Sequence, residues 1–217
     1  VCRSTFVLFV FFLELPLMPE KLTKLERRLG YSFRDVALLE RAVTHRSWAH
    51  ENNPDSAEIY RDSQNESLEF VGDSVLGLVI AEELYLKNPE LNEGHLTLMK
   101  HRLVSTETLA KVAAEYDLGG YLRMGRGEEK TGGRGKQALL ANAMEAVIGA
   151  VFFDGGYVEA RNFVRRVFAD QLKVTTPDSA VDYKTLLQET LQKRKVPGPE
   201  YRVVETNGAP HERTFSV

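Results

Sequence analysis

Cysteine is almost missing: Cys2 is the only one in 217 residues. One thiol closes no intrachain disulfide and cannot build a cysteine-ligated metal site. The expected setting is a reducing one, the cytoplasm. An excess of positive charge is missing too, since 28 Lys and Arg face 31 Asp and Glu, a formal −3. That excludes a general polycation, so any hold on nucleic acid has to come from local patches. The anomalous apolar run at residues 6–13 has only eight residues before Glu14 and Pro16. A membrane span takes about 20, so this run cannot cross and no membrane partner is expected. With 43% apolar, 27% charged and 9% aromatic residues, disordered, collagenous and low-complexity classes are excluded as well.

The opening 17 residues stand apart from the rest. Arg3 precedes the apolar run as in an export signal, but no small-residue cleavage pattern follows it. The first methionine is Met18, directly ahead of a helical pattern. Residues 1–17 therefore read as a non-native upstream segment, with a short anchor or export signal as the alternative.

From residue 21 the period is helical. Leu22, Leu25 and Leu29, then Val36, Leu39, Ala42 and Val43, recur at threes and fours. Further helices are expected at 65–87, 96–104, 106–116, 137–153 and 158–172. Loops are expected at 49–64 and at 125–135, where five glycines sit among Arg126, Lys130 and Arg134. No strand is expected before residue 173. After a polar linker at 174–181 the pattern changes. One amphipathic helix over 182–193 precedes two short strands, at 201–204 and 213–217, joined through Asn207-Gly208-Ala209-Pro210. The fold class is thus an all-α domain over 18–173 followed by a partial α+β unit over 182–217.

Two apolar helices carry unexpected acids. At about 100° per residue, Glu66, Glu69 and Asp73 fall within roughly 60° of arc. Around them Val71, Val75, Leu76, Leu78, Val79 and Ile80 leave little polar surface, so the helix is expected in a core. Between residues 138 and 153 the only polar side chains are Asn142 and Glu145, three apart and on one face. Buried carboxylates need partners, and neither stripe contains Lys or Arg. A divalent cation is the natural counter-charge, and all-oxygen donors suit Mg²⁺ or Mn²⁺ rather than zinc. Such clusters hydrolyse phosphodiesters. A ferritin-like di-iron centre would need Glu-x-x-His, which neither helix has.

The segment Asn65-Glu66-Ser67-Leu68-Glu69-Phe70-Val71-Gly72-Asp73-Ser74-Val75-Leu76 resembles the signature of ribonuclease III, the endonuclease of double-stranded RNA. Thr44-His45-Arg46-Ser47, Glu93-Gly94, the glycine loop, Leu140 through Ala146 and Asp154-Gly155-Gly156 extend the resemblance, which covers residues 22–217. It implies that Glu69, Asn142 and Glu145 are metal ligands and that Asp73 and Glu145 are catalytic, with Glu66 supporting the site or orienting Asn65. Glu93 and Glu128 match further acidic positions, although solvated charges explain them as well. His45 and Arg46 match the motif and read as structural. Many members of the family carry aspartate where Asn142 stands, so the cluster has one negative charge fewer. The implied activity is Mg²⁺-dependent cleavage, with Mn²⁺ able to substitute, by a homodimer. It leaves 5′-phosphate and 3′-hydroxyl ends, in rRNA and other RNA processing, with no small-molecule cofactor. The alternative is a catalytically weak or silent RNA-binding relative.

For RNA contact, residues 121–137 carry Arg123, Arg126, Lys130, Arg134 and Lys136 against Glu128 and Glu129. This reads as a phosphate-contacting loop or as a mobile solvated one. Arg161, Arg165 and Arg166 read as ordinary surface. Residues 182–217 resemble the first part of a double-stranded-RNA-binding domain, which reads A-form shape across the minor groove. The resemblance places Thr185, Gln188, Gln192 and His211 at the groove, with a merely exposed helix face the alternative for the glutamines. A two-stranded sheet is marginal in water, so this truncated unit is expected to be partly unfolded and to add little affinity. Leu68, Phe70 and Val71 suit either a dimer seam or intrachain core.

Overall fold

A computed structural model describes residues 19–52 and 63–177, residues 191 and 195–197, and two short strands at 205–207 and 214–216. The chain forms two compact units that meet between Pro177 and Asp178.

The first unit is helical: α1 (Pro19–Leu29), α2 (Val36–Ala42), α3 (Arg46–Asn52), α4 (Glu66–Lys87), α5 (Glu93–Leu103), α6 (Thr106–Glu115), α7 (Leu118–Tyr121), α8 (Arg126–Lys130), α9 (Gln137–Val167) and α10 (Ala169–Val174). Side-chain caps start several of them. Asp35 accepts from the amide of Ala37, Asn92 from His95 and Ser105 from Thr108. The Asn92 cap explains why α5 begins at Glu93 rather than at 96, where its apolar residues begin.

The core is organised around α9, which packs along α4 and against α6 and α2. Ala143, Met144, Val147, Ile148, Ala150 and Val151 are all fully buried. Among the described residues α9 is the one helix long and apolar enough to cross a membrane. Its buried side chains and its bend are those of a core helix. The bend sits at Gly156, with φ 80° and ψ −178°, a backbone state that a side chain would strain. Just before it, the Asp154 carboxylate accepts from the Tyr31 hydroxyl at 2.8 Å and from the amides of Arg34 (3.1 Å) and Asp35 (2.8 Å). These bonds fix the α1–α2 link onto the bend.

Three elements differ from the sequence expectation. A loop was expected over 49–64, yet residues 46–52 form α3, because Ala49 is buried and Arg123 stacks 3.7 Å over the Trp48 ring. The glycine segment contains α8 and a 3-10 turn at Gly133–Gly135. It is tied by Arg134 to Glu129 at 2.6 Å and by Lys136 to Glu128 at 2.5 Å. Arg123 is committed to Glu40. Three of the five cations expected to face phosphate are therefore neutralised internally, leaving Arg126 and Lys130. The helix expected over 158–172 breaks at Phe168 into the end of α9 and α10.

In the second unit β1 (Glu205–Asn207) runs antiparallel to β2 (Thr214–Ser216), pairing Glu205 with Ser216 and Asn207 with Thr214. The first strand thus reaches Asn207, which was expected in the turn. Gly208 and Pro210 follow, and proline cannot donate to a ladder. The expected strand at 201–204, the helix over 182–193 and the candidate RNA contacts Thr185, Gln188, Gln192 and His211 lie outside the described residues, as do residues 1–17.

Candidate active site

The site is assembled where the start of α4 meets the first half of α9. Asn65 is buried just before α4. Its amide donates to the Thr44 carbonyl at 3.0 Å and its side chain to the Ala42 carbonyl at 3.4 Å. Thr44 is in turn bridged to Arg123: the Arg123 amide donates to Val43 O and the His45 amide to Arg123 O, both at 2.8 Å. These bonds set the Thr44–Ser47 segment against the α4 N-terminus. Arg46 reaches Glu66 at 3.2 Å, and the buried Gln64 side chain donates to the other Glu66 oxygen at 3.0 Å. Glu66 is thus held at both carboxylate oxygens, by Arg46 and by Gln64. The His45 Nδ1 lies 2.8 Å from the Ser47 hydroxyl, and burial holds its pKa below the usual histidine value.

Two glycines let the helices touch. A Cβ at residue 72 would lie 1.7 Å from the Glu145 carbonyl oxygen, and one at residue 149 would lie 2.2 Å from the Leu68 carbonyl oxygen. Backbone-to-backbone contact brings Glu69 and Asp73 on α4 beside Asn142 and Glu145 on α9. Sequence reasoning missed these glycines as functional. Their signal was available, since Gly72 is next to Asp73 and Gly149 follows Glu145 by four residues.

The electrostatics follow from this closeness. Glu145 is pushed up to about 7 by burial and then by the charges of Asp73 and Glu69. Burial and the neighbouring Glu66 raise Glu69, opposed by a hydrogen bond from Asn142 and by Arg46. Among the described residues none of Glu69, Asp73 and Glu145 has a cation within ion-pair distance. Acids farther along α4 are different. Glu82 binds Arg161 at 2.6 Å, and the buried Glu83 binds Arg165 at 2.9 Å and Lys87 at 3.1 Å. The expectation that Arg161 and Arg165 are ordinary surface is corrected: they clamp the far end of α4 to α9.

Glu69, Asn142 and Glu145, with Asp73 beside them, offer only oxygen donors, which suits a hard divalent cation. Among the described residues no three His, Cys, Asp or Glu side chains form a ready-made metal cage. Asn142, three residues before Glu145 on α9, adds a neutral oxygen donor. Glu93 is spent on α5, accepting from Thr97 at 2.9 Å, and it does not contribute to the field at Glu69 or Glu145. Glu128 contributes to the field at His45 but is paired with Lys136.

The Ribonuclease-III-like family profile matches residues 35–172, and the double-stranded RNA binding motif matches residues 183–217. The chain belongs to the ribonuclease III family. It is 46% identical over 200 residues to a ribonuclease 3 of Magnetococcus marinus, an alignment covering 92% of this chain and 81% of that one. It is 45% identical over 201 residues to a ribonuclease 3 of Pseudomonas aeruginosa, covering 92% and 82%. The nuclease domain of ribonuclease III from Campylobacter jejuni superposes with a TM-score of 0.63 at 35% identity, over 70% of this chain and 99% of that one. That structure is described by flexibility in a region involved in dimer formation. As a ribonuclease III, the chain combines a helical nuclease domain with a double-stranded-RNA-binding segment.

Proposed function

We propose that this endoribonuclease cuts double-stranded RNA by divalent-cation-dependent hydrolysis at the α4–α9 cluster. The observation that carries the reading is the field at Glu145. Burial and two carboxylates raise it to about 7, and among the described residues no side-chain cation lies within ion-pair distance of it. Glu69, Asn142 and Glu145 would hold the cation, Mg²⁺ with Mn²⁺ able to substitute. When bound, it neutralises charge on the scissile phosphate and activates water for in-line attack. Asn142 presents its amide oxygen without charge, and its amide beside Glu69 opposes the rise of that carboxyl. Asp73 is exposed at the solvent edge of the cluster, where its carboxylate can accept a proton from the attacking water. Without the cation Glu145 can carry a proton near neutral pH. Breaking the bond to the 3′ oxygen leaves 5′-phosphate and 3′-hydroxyl ends. Arg46 and Gln64 hold Glu66 so that the α4 N-terminus keeps its place.

A homodimer fits the same helix. Leu68 is intrachain core at 2% exposure, whereas Phe70 is 75% exposed and is followed by Leu78 at 56% and Tyr85 at 70%. These three lie within about 80° of arc on α4, beside the acidic stripe. This is an apolar strip that a second copy would cover, bringing two acid clusters to one groove. The setting is cytoplasmic processing of rRNA precursors and other transcripts. The test is incubation of the purified chain with duplex and single-stranded RNA in Mg²⁺, in Mn²⁺ and in EDTA. Cleavage of duplex alone, with either metal and not with EDTA, is expected; metal-independent cleavage would overturn the reading.

A further inference from the structure

Beside α3 a cavity of about 530 Å³ is lined by Trp48, Glu51, Asn52, Met124 and Arg126. Ligand sites are typically clefts of roughly 300–1,000 Å³ where a few polar groups converge on apolar walls. Among the described residues no cation lies within ion-pair distance of Glu51, and no carboxylate within that distance of Arg126. They do not bond each other either. A carboxylate and a guanidinium thus line one cavity, and no described side chain neutralises either of them.

The fold fixes these walls in place. The Ser47 hydroxyl accepts from the Gly125 amide at 2.8 Å, which pins α3 to the start of α8. A Cβ at residue 125 would lie 2.5 Å from Glu51 Oε1, so that carboxylate rests on the backbone directly before Arg126. The Asn52 amide nitrogen donates to the Trp48 carbonyl at 2.8 Å, which leaves its oxygen as an acceptor. Arg123 covers one face of the Trp48 ring at 3.7 Å and is not among the lining residues. The ring therefore meets the cavity with its other face or its edge. Met124, 8% exposed, adds an apolar thioether.

This set of groups selects a ligand class. An aromatic ring and a thioether take a flat π-system, and a guanidinium takes a phosphate. A carboxylate only accepts, so it pairs with adjacent N–H donors. Among the RNA bases, guanine alone presents two of these, N1–H and N2–H, on its Watson–Crick edge. Adenine and cytosine set a ring acceptor beside their amine, and the N3–H of uracil stands between two carbonyls. The Asn52 oxygen can accept from a ribose hydroxyl. We propose that this cavity is a guanine-nucleotide site, with Trp48 against the base, Glu51 on its Watson–Crick edge and Arg126 on the phosphate. The ligand is an unpaired guanosine within an RNA strand or a free guanine nucleotide. The strand has a route to the acid cluster. Arg46, two residues before Trp48 on α3, bonds Glu66 at 3.2 Å, and Glu66 is less than one turn from Glu69. The site goes beyond the cleavage reading and is independent of it, since binding here needs neither a cation nor a cut.

Trp48 is the single tryptophan of the chain, so its fluorescence reports on this cavity directly. The full chain is titrated in EDTA with the 5′-monophosphates of guanosine, inosine, adenosine, cytidine and uridine, corrected for their absorbance. Guanosine monophosphate is expected to quench saturably and to bind roughly tenfold tighter than the adenosine, cytidine and uridine compounds, as a bidentate base contact discriminates. Inosine monophosphate, which lacks the N2 amine, should fall between. Glu51→Gln should remove the preference for guanine. Arg126→Gln should weaken all five ligands severalfold and keep their order. Lys130→Gln, a cation of α8 outside the cavity, controls for net charge and should bind as wild type. All variants are compared at matching circular dichroism melts. A second arm uses an RNA duplex ending in one unpaired guanosine or one unpaired adenosine. Stronger quenching by the guanosine end, lost in Glu51→Gln, supports the site and assigns it to a strand. Guanine-selective quenching by the free nucleotide alone supports the site and assigns it to the free nucleotide. Equal quenching by all four bases, selectivity that survives Glu51→Gln, an equal loss in Lys130→Gln, or no quenching in either arm overturns the proposal. Cleavage in Mg²⁺ is measured separately; its absence sinks the cleavage reading and leaves this site standing.

Discussion

Gly72 meets the backbone of Glu145 so closely that a Cβ at residue 72 would sit 1.7 Å from its carbonyl oxygen. The catalytic chemistry of the cluster therefore depends on a position with no side chain. Gly72→Ala must separate α4 from α9 or distort one of them. Overpacking typically costs about 1–3 kcal/mol and more against backbone, so the Tm should fall by roughly 5–10 °C. Because the shift also parts Glu69 and Asp73 from Glu145, cleavage should fall further than the folded fraction does. Circular dichroism melts and single-turnover cleavage measured on the same sample check this. An unchanged melt with full activity contradicts the packing.

The charge at Glu145 links stability to pH and metal. Its carboxyl titrates near 7 in the folded chain against about 4.5 unfolded. The folded state therefore takes up a proton that the unfolded state releases. That contribution is complete below about pH 4.5 and is lost as pH rises through about 7. Metal-free protein should thus lose thermal stability from pH 5 to pH 8, and Mg²⁺ should restore more of it at pH 8 than at pH 5. Glu145→Gln should flatten both trends, abolish cleavage by several orders of magnitude and spare duplex binding. Melts at four pH values, with and without Mg²⁺, are the check; a metal-induced rise that is independent of pH contradicts the assignment.

How far the chain was legible depends on where the determining partners lie. α4 was readable over nearly its whole length because its apolar period is local, and Glu66, Glu69 and Asp73 share a face by the same geometry. That α4 and α9 meet was inferable from two polar stripes in apolar helices. α3 was not readable, because its stability comes from the buried Ala49 and from Arg123 on Trp48, contacts across about 75 residues. The glycine segment was misread for a similar reason. Its cations are neutralised five and eight residues away, at spacings that no helix face predicts. The core expected for α4 fails at Leu78, which is exposed, and Phe70, open between a dimer seam and core, is exposed as well, as is Tyr85. A run of apolar residues shows that a surface will be covered, not which molecule covers it.

Asn142 puts a neutral oxygen where a carboxylate would add charge. Asn142→Asp should lower the Mg²⁺ concentration for half-maximal cleavage severalfold, since each added charge strengthens hard-cation binding. The same variant should raise Glu69 and Glu145 further in metal-free protein, because a neutral amide beside them gives way to like charge. A Mg²⁺ titration of cleavage and a metal-free melt at pH 8 read both effects. No shift in the titration midpoint would reduce Asn142 to a core amide.

Glu69 and Glu83 lie on the same helix and should respond in opposite ways to the same substitution. Glu83 is 2% exposed and carries Arg165 and Lys87, so its charge is what those cations require. Removing one member of a buried ion pair costs about 3–5 kcal/mol. Because Arg165 and Lys87 are half exposed and can rehydrate, about 2 kcal/mol is the better expectation for Glu83→Gln, a Tm lowered by roughly 4–8 °C. Cleavage at saturating duplex should persist, since Glu69 is about four turns away. Among the described residues Glu69 has no cation within ion-pair distance, and it is repelled by Glu66 and Asp73. Glu69→Gln removes repulsion while keeping shape, so the metal-free melt should stay level or rise as cleavage collapses. Stability and activity then move apart in one variant, while in the other stability alone falls. If both variants lose stability alike, the division of α4 into a structural end and a chemical end is wrong.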